Sequence, residues 1–215
     1  MAVWLTRITP DPRSAEARAD LAQAGNLHRR LMKLLPPTEL GDSPRQAAGL
    51  LFRVEESRSG TTILAQSTHH LVADQLPDGY GQLEHRELTP LLEALEVGRV
   101  VRYRIVASPT KRLGRSKQRG VSETTIPLRG PDADAWWYSR ARNHGLEPRS
   151  VTAQDRNDSV DRSRGRRIRH AAVQFQGVAT VTDPASAREA VLHGIGRGKS
   201  HGCGLLSLAL AGGPE

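Results

Sequence analysis

Residues 48–68 are AGLLFRVEESRSGTTILAQST and contain two short apolar runs, 48–57 and 61–68. Both runs are rich in Leu, Ile, Val and Phe and have the length of ordinary strands. The polar segment between them, Ser57 to Gly60, is typical of a turn that joins adjacent strands. The stretch therefore predicts a β-hairpin, and the segments on either side of it decide which fold contains the hairpin.

The flanking segments predict two further strands and two helices. Residues 3–9 (VWLTRIT) have the β-rich composition of a strand. Ser14 is placed to begin the helical run SAEARADLAQAG, and Asn26 is placed to cap the run LHRRLMKLL, which ends at two prolines. After the hairpin, a short helix or loop leads to another strand at 80–87.

The second half of the chain repeats this order of elements. We predict a strand at 98–108, a helix at 132–144, strands at 147–153 and 169–182 joined by a polar loop, a helix at 184–193 and a strand at 204–210. Two successive βαββαβ units are the simplest interpretation, although the halves share no clear sequence repeat. The fold class is then α+β, with two tandem ferredoxin-like domains of the kind found in RNA-recognition proteins. We expect the domains to span 1–92 and 93–215.

The composition indicates a folded protein with a polyanionic partner. Hydrophobic residues make up 37% of the 215 residues, which is enough for a core. Lys and Arg number 31 against 23 Asp and Glu, so the formal net charge is +8. A basic surface favours nucleic acid, because each neutralised phosphate releases condensed counterions.

The cysteine content and the lack of long apolar stretches exclude other classes. The single cysteine, Cys203, can form neither an internal disulfide nor a cysteine-rich zinc site, and its apolar surroundings predict a buried thiol. No segment approaches the roughly 20 apolar residues of a membrane span, and residues 1–10 lack the apolar core of a signal peptide. We expect a cytoplasmic protein that contacts no membrane and needs neither a metal nor a small-molecule cofactor.

Two basic segments without acidic residues are candidate RNA-binding surfaces. Their members are Arg102, Arg104, Lys111, Arg112, Arg115 and Lys117 in the first segment, and Arg164, Arg166 and Arg167 in the second. Arg102 and Arg104 have strand spacing, so their side chains share one face of a sheet. The alternative is that both segments are solvated loops. The aromatic motif of a standard RNA-recognition domain is missing, which favours shape and phosphate contacts to folded RNA.

The run GIGRGKSHGCG at 194–204 is the most distinctive segment of the chain. Its backbone can approach a ligand closely, and exposed N–H groups beside cations suit phosphate oxygens. We predict RNA contacts from Gly196, Arg197, Gly198, Lys199 and Ser200. The run is not a P-loop, because His193 occupies the first glycine position, and it is not a dinucleotide fingerprint, because Lys199 occupies the third.

Several stretches together resemble the CasE family, the CRISPR repeat endoribonucleases of type I-E systems. GIGRGKSHGCGLLSLA is similar to the family's C-terminal motif, VWLTRI to its first strand and LHRRLMKLLP to its catalytic helix. VVRYRIVASPTKR is similar to a strand and loop of the family, with Ser108 where Asn is usual, and RIRHAAVQFQGVATVTDP is similar to its central hairpin. The resemblance implies two ferredoxin-like domains, binding of a CRISPR repeat hairpin, cleavage at its 3′ base, and association with the other Cascade subunits.

The chemistry implied by the resemblance is attack of a 2′-hydroxyl on the adjacent phosphate, which leaves a 2′,3′-cyclic phosphate and a 5′-hydroxyl without a metal. A histidine suits the proton transfer and a lysine suits the developing charge. The resemblance places the catalytic histidine at His28, and Lys33 matches a position where several members carry lysine. The two residues are about 140° apart on an ideal helix, so Lys33 needs its long side chain to reach a shared phosphate.

One position departs from the family pattern. The family often has a tyrosine three residues before the histidine, and here that position is Gly25. Either His28 works with Lys33 and another basic residue, or a different side chain substitutes, or the chain holds RNA without cutting it. His193 and His201 beside the glycine run are further candidates for RNA contact. Binding of ATP or NAD by the run is disfavoured by its spacing.

Overall fold

The computed structural model describes residues 2–36, 43–112, 125–161 and 168–211. In the first sheet, four antiparallel strands have the spatial order β2-β3-β1-β4. The strands are β1 (Trp4–Pro10), β2 (Leu51–Ser57), β3 (Gly60–Ser67) and β4 (Gly81–Glu87). The hairpin predicted from residues 48–68 is confirmed, since β2 and β3 pair directly and Ser57 lies opposite Gly60.

Four helices accompany this sheet in the sequence: α1 (Ala15–Leu21), α2 (Ala24–Lys33), α3 (Pro44–Ala47) and α4 (Thr89–Glu93). A 3-10 turn, Ala73–Gln75, stands between β3 and β4, where the second helix of a ferredoxin-like unit is expected. The sequence predicted a short helix or loop at that place. Strand order and element order together therefore match a ferredoxin-like unit with a shortened second helix.

The starts of α1 and α2 differ in how well the sequence predicted them. Ser14 caps α1 as predicted, since its hydroxyl accepts a hydrogen bond from the N–H of Ala17 at 3.3 Å. The predicted cap at Asn26 is wrong, because α2 begins at Ala24 and its N-cap is Gln23, three residues before Asn26. The amide of Asn26 donates instead to the carbonyl of Ala19, 3.1 Å away in α1. Asn26 thus ties the two helices together.

The second sheet has the strand order β11-β5-β10-β8, and β9 also pairs with β10. Its strands are β5 (Val100–Ala107), β8 (Leu146–Pro148), β9 (Thr152–Asp161), β10 (Ile168–Val181) and β11 (Ser207–Leu210). Two helices, α5 (Gly130–Arg142) and α6 (Pro184–His193), connect them. With β8 and β9 taken as one interrupted strand, the order is again that of a ferredoxin-like unit. A separate pair, β6 (Thr110–Arg112) and β7 (Thr125–Pro127), follows β5.

One predicted loop is a strand. Much of the polar segment predicted between 153 and 169 belongs to β9, which pairs with β10 from Thr152 opposite Gln176 to Asp161 opposite Ile168. Its Asp and Asn residues have low strand propensity. The long apolar β10 supplies a ladder of hydrogen bonds, and this tertiary pairing outweighs the local preference.

Two apolar cores lie beside the two sheets. The first contains Leu27 and Leu31 of α2 packed with Phe52 and Ile63. The second contains Trp137 of α5 packed with Tyr103 and Phe175. Three leucines that follow the first sheet in sequence, Leu88, Leu92 and Leu95, join the second core. The predicted boundary between residues 92 and 93 stays a prediction.

Buried polar contacts join the two halves of the chain. Gln66 on β3 donates to the carbonyl of Val191 in α6 at 2.8 Å. Arg53 on β2 is only 2% exposed and donates to the carbonyls of Arg104 and Leu205, at 3.2 and 3.0 Å. Its guanidinium also binds the Glu55 carboxylate at 2.7 Å. These contacts fix the first sheet against β5 and β11.

Candidate catalytic site and nucleic-acid interface

Helix α2 positions the predicted catalytic residues. Leu27 and Leu31, four residues apart, are buried on one face of the helix. His28, next to Leu27, is half-buried, and its ring centroid lies 6.3 Å from that of Phe52 on β2. Lys33 is the last residue of the helix and is exposed. The packing of the leucines therefore places His28 at the edge of the first core, where one side of its ring meets a groove.

His28 and Lys33 line the same groove, although five residues separate them. This His28 groove has a volume of about 540 Å³. Its described lining residues are His28, Arg29, Met32 and Lys33 from α2, and Ser43, Pro44, Arg45 and Gln46 around α3. The structure thus brings the two predicted catalytic side chains to one surface. Three further features of that surface are relevant to catalysis: its charge, the position of Gly25 and the neighbouring glycine run.

The charge of the His28 groove is entirely positive among its described lining residues. Arg29, Lys33 and Arg45 contribute three cations, and the lining includes no carboxylate. Arg45 is held in place by a hydrogen bond from its guanidinium to the carbonyl of Leu50 at 3.2 Å. Burial lowers the pKa of Arg45 below its ordinary value. A groove of this kind attracts an anion such as a phosphate.

Gly25 leaves the His28 groove without an aromatic hydroxyl. Gly25 is buried in α2, and none of the described lining residues is a tyrosine. Tyr80 lies elsewhere, in the first core beside Asp20 and under the guanidinium of Arg30, 5.6 Å from the ring centroid. Burial, together with Asp20, raises the pKa of Tyr80. Tyr80 therefore does not substitute for the family tyrosine in this groove.

The glycine run lies against the first sheet beside α2. A 3-10 turn, Lys199–His201, is flanked by Gly198 and Gly202, both in the left-handed region. A Cβ atom on Gly202 would lie 3.3 Å from the ring of Phe52, the same ring that neighbours His28. A Cβ atom on Gly204 would lie 3.2 Å from Cγ of Lys199. The missing side chains therefore permit the close approach of the run to β2 and α2.

The predicted RNA-contacting residues of the run point in different directions. Lys199 is half-buried, and its pKa is lowered by burial and by the charge of Arg45. Arg197 is exposed and donates to the hydroxyl of Thr125 on β7 at 3.1 Å. The hydroxyl of Ser200 lies 3.1 Å from Nδ1 of His201. Arg197 thus faces the small β6-β7 pair, whereas Lys199 lies in the 3-10 turn that contacts α2 and β2.

Gly196 and Gly198 are packed against rings. A Cβ atom on Gly196 would lie 3.4 Å from Trp136, and one on Gly198 would lie 3.2 Å from His170. His170 in turn lies beside His201, with ring centroids 4.8 Å apart. Burial, His201 and Arg197 lower the pKa of His170. The two glycines therefore shape the run around β10 and α5.

Arg102 and Arg104 share the exposed face of β5, as the sequence predicted, while Val101 and Tyr103 are buried on the other face. They line a second groove of about 570 Å³, here called the inter-sheet groove. The other charged lining residues of this groove are Arg53 and Glu55. Arg104 forms an ion pair with Glu55 at 3.3 Å and a hydrogen bond with Gln176 at 3.1 Å. Arg102 and Arg104 are thus near each other but outside the His28 groove.

The remaining predicted residues are divided by the limits of the described structure. Lys111 and Arg112 are exposed on β6. Arg115, Lys117, Arg164, Arg166 and Arg167 lie outside the described residues. Nε2 of His193 lies 3.1 Å from the Glu189 carboxylate on the exposed side of α6. Cys203 is buried, as predicted, and burial raises the pKa of its thiol to about 12.

Sequence reasoning missed two arginines that line the grooves. Arg45 lies in a polar stretch without a motif, and only the fold brings it to His28. Arg53 is a single cation within the apolar run of β2, and that unusual position was the available signal. A buried charge in a strand needs partners, so it predicts a polar contact across the core.

The described helices are too short to span a membrane. The longest helix of the described ranges, α5, has 13 residues. No helix in the part of the chain that the structure describes combines the length and apolarity needed to span a bilayer.

Two ferredoxin-like units with cation-lined grooves define a class of RNA-binding proteins, and the comparisons with known proteins identify the family. A family model described as "CRISPR associated protein" matches residues 3–209. The chain is 31% identical over 222 residues to the CRISPR-associated endoribonuclease Cse3 of Thermus thermophilus, covering 96% of this chain and 100% of the relative. The chain therefore belongs to the CRISPR-associated Cse3/CasE endoribonuclease family.

Other relatives agree with this assignment. The Cascade subunit CasE of Escherichia coli K12 is 27% identical over 200 residues, covering 90% of this chain and 95% of the relative. The structure of T. thermophilus Cse3 bound to an RNA representing a pre-cleavage complex has a TM-score of 0.80 at 30% identity, covering 97% of this chain and 100% of that one. A chain of a CRISPR RNA-guided surveillance complex in a pre-nicking state is 49% identical, with a TM-score of 0.72 and the same coverage.

Proposed function

We propose that this chain is an endoribonuclease that binds the repeat hairpin of precursor CRISPR RNA and cleaves at its 3′ base. The observation that carries the proposal is the shared groove of His28 and Lys33 in a chain 31% identical to a named CRISPR endoribonuclease. A half-buried imidazole beside cations has the groups that transesterification of RNA needs.

The proposed reaction uses the RNA's own 2′-hydroxyl as nucleophile. The imidazole of His28 accepts the proton of this hydroxyl, and its near-neutral ordinary pKa suits that role. The oxygen attacks the adjacent phosphorus in line, and the bond to the 5′-oxygen breaks. The 5′-oxygen takes up a proton from the solvent, to which the protonated His28 returns the proton that it accepted. The ammonium of Lys33 stabilises the additional negative charge on the phosphate oxygens. The products are a 2′,3′-cyclic phosphate and a 5′-hydroxyl, and no step requires a metal.

The proposed RNA-binding surface extends from the His28 groove along the glycine run to the β6-β7 pair. Arg197 links these two segments through Thr125. Lys111 and Arg112 continue the exposed cations on β6. Such a surface suits the phosphate backbone of an A-form hairpin, whose deep major groove hides the base edges. The other predicted contacts, Arg102, Arg104, Arg115, Lys117, Arg164, Arg166, Arg167, Gly196, Gly198, Lys199 and Ser200, belong to the same proposal.

We also propose that the product hairpin stays bound and that the chain works within a Cascade complex. The name of the E. coli relative and the 49% identity to a chain of a surveillance complex support this association. Counterion release on phosphate binding supports tight retention of the product hairpin.

The test is incubation of the purified chain with the cognate repeat RNA in EDTA. Cleavage in EDTA, with a cyclic phosphate on the upstream product, is expected. A requirement for magnesium would contradict the proposed mechanism.

A second candidate function is a non-catalytic subunit that holds the 3′ hairpin of the guide. Gly25 favours it, because the groove lacks the tyrosine that the family often has. A repeat RNA with a 2′-deoxy group at the scissile position separates the two functions. The endoribonuclease binds the ribose and deoxy RNAs equally and cuts only the ribose form, whereas the holding subunit cuts neither.

A further inference from the structure

Two cations from different halves of the chain lie near β2 and the catalytic candidate His28. Arg45 comes from α3 in the first half, and Lys199 comes from the glycine run in the second half. The 3-10 turn that carries Lys199 contacts both α2 and β2. Arg45 binds the carbonyl of Leu50, just before the same strand β2, and burial together with the charge of Arg45 lowers the pKa of Lys199.

The backbone around each cation fixes its position. The hydrogen bond from Arg45 to the carbonyl of Leu50 turns its guanidinium toward the start of β2. The stem of Lys199 crosses Gly204, where a Cβ atom would lie 3.2 Å from Cγ. Gly194 approaches Leu51 in the same way, with a Cβ position 3.0 Å from its methyl groups. The two cations are therefore held near each other by packing between the glycine run and β2.

Both cations are partly withdrawn from water. Burial penalises both charged groups, as the lowered pKa values of Arg45 and Lys199 indicate. Among the described residues, neither forms an ion pair with a carboxylate. Two cations that are partly desolvated, close together and without a described counter-charge form a site for an anion. RNA supplies such an anion in each phosphate.

We propose that Arg45 and Lys199 hold the scissile phosphate between them and that Arg45 is a further catalytic residue. This inference rests on the proposed function, and it names the groups that act where Gly25 leaves no tyrosine. Arg45 lines the groove together with His28 and Lys33, so its guanidinium can donate to a nonbridging oxygen of the phosphate that His28 activates. A planar guanidinium suits two oxygens of one phosphate.

The experiment is single-turnover cleavage of the cognate repeat RNA by Arg45→Ala, Lys199→Ala and the double variant. Binding is measured separately with the 2′-deoxy RNA. Loss of one charge-stabilising donor lowers such rates by about 10²- to 10³-fold. We expect Arg45→Ala to lower the saturated rate by about 10²-fold and to weaken binding by less than tenfold. If both cations hold one phosphate, the double variant loses less than the product of the two single losses.

Two further variants serve as a control and as a replacement for Arg45→Ala. Arg58→Ala removes the same charge from the exposed turn after β2, at the far end of the strand, and should cleave like the wild type. Arg45→Gln keeps an N–H donor for the carbonyl of Leu50 but removes the charge, so it replaces Arg45→Ala if that variant unfolds.

The possible results separate this inference from the proposed function. A wild-type chain that does not cleave contradicts the proposed function itself. If the wild type cleaves and Arg45→Ala or Arg45→Gln cleaves as fast as Arg58→Ala, the role of Arg45 is disproved. Equal losses of binding and of cleavage efficiency, with an unchanged saturated rate, would also overturn it, because they assign Arg45 to ground-state binding alone.

Discussion

The His28 groove and the inter-sheet groove are both lined by cations, but their charges are balanced differently. In the inter-sheet groove, Glu55 pairs with Arg53 at 2.7 Å and with Arg104 at 3.3 Å. In the His28 groove, the described lining residues include no carboxylate. The buried Arg53–Glu55 pair helps to hold the first sheet against β5, and Glu55 also offsets the charge of Arg104. We propose that the cations of the His28 groove bind RNA.

The largest expected effect on stability is that of Glu55→Ala. This substitution leaves Arg53, which is 2% exposed, without its carboxylate partner. Breaking a buried ion pair by removing one partner costs about 3 kcal/mol or more. Urea unfolding should therefore show a loss of about 3 kcal/mol. Glu84→Ala is the control, since it breaks an exposed pair with Arg7 and should cost under about 1 kcal/mol. Equal losses of unfolding free energy in the two variants would show that the buried charge of Arg53 does not need the carboxylate of Glu55.

We expect Lys33→Ala to lower the cleavage rate strongly and to leave the free energy of unfolding nearly unchanged. Lys33 is exposed and is not part of a core, so the free energy of unfolding should change by less than about 0.5 kcal/mol. The saturated cleavage rate should fall by about 10²-fold, because a charge-stabilising donor is lost. Lys111→Ala is the comparison variant: it removes an exposed cation on β6 and should weaken binding without changing the saturated rate. If Lys33→Ala lowers only the affinity for RNA, Lys33 binds RNA and does not stabilise the transition state.

Gly202→Ala tests whether the glycine run supports the His28 groove. Gly202 has a φ of +80°, and a Cβ atom there would lie 3.3 Å from Phe52, the neighbour of His28. The left-handed backbone alone costs about 1–2 kcal/mol for a side-chain-bearing residue. Gly79→Ala is a matched control, with a φ of +70° and no atom within 4 Å of the added Cβ. Urea denaturation should show similar losses of unfolding free energy in both variants. Only Gly202→Ala should also cleave the repeat RNA several-fold more slowly.

The smallest expected effect is a pH dependence of the free energy of unfolding, which arises from the ionisation of Glu55. Burial alone would raise the pKa of Glu55, but Arg53 and then Arg104 hold it below the ordinary value. The folded state therefore binds the proton less well than the unfolded state. The resulting stability is present above the ordinary pKa, about 4.3, and is lost as the pH falls through it toward the lowered value. Unfolding midpoints measured from pH 6 to pH 3 should fall more steeply for the wild type than for Glu55→Gln, and parallel curves would contradict this.

The sequence predicted features that depend on local pattern. The alternation in β5 placed Arg102 and Arg104 on one face, and the cap at Ser14 began α1. Features that depend on tertiary contact were not predictable. The polar β9 is a strand because β10 pairs with it, and the contact of the Lys199–His201 turn with α2 and β2 requires both halves of the chain. The resemblance to a family located His28, but the groove around it is a product of the fold.

The central claim is that His28 performs proton transfer in its groove, and His28→Ala tests it most directly. Single-turnover cleavage of the repeat RNA and binding of the 2′-deoxy RNA are measured on the same preparation. A general base contributes about 10²- to 10⁴-fold to the rate. The expected result is a fall in the cleavage rate of at least about 10²-fold, with affinity within about threefold of the wild type. Cleavage at the wild-type rate, or equal losses of cleavage and affinity, would contradict the catalytic assignment of His28.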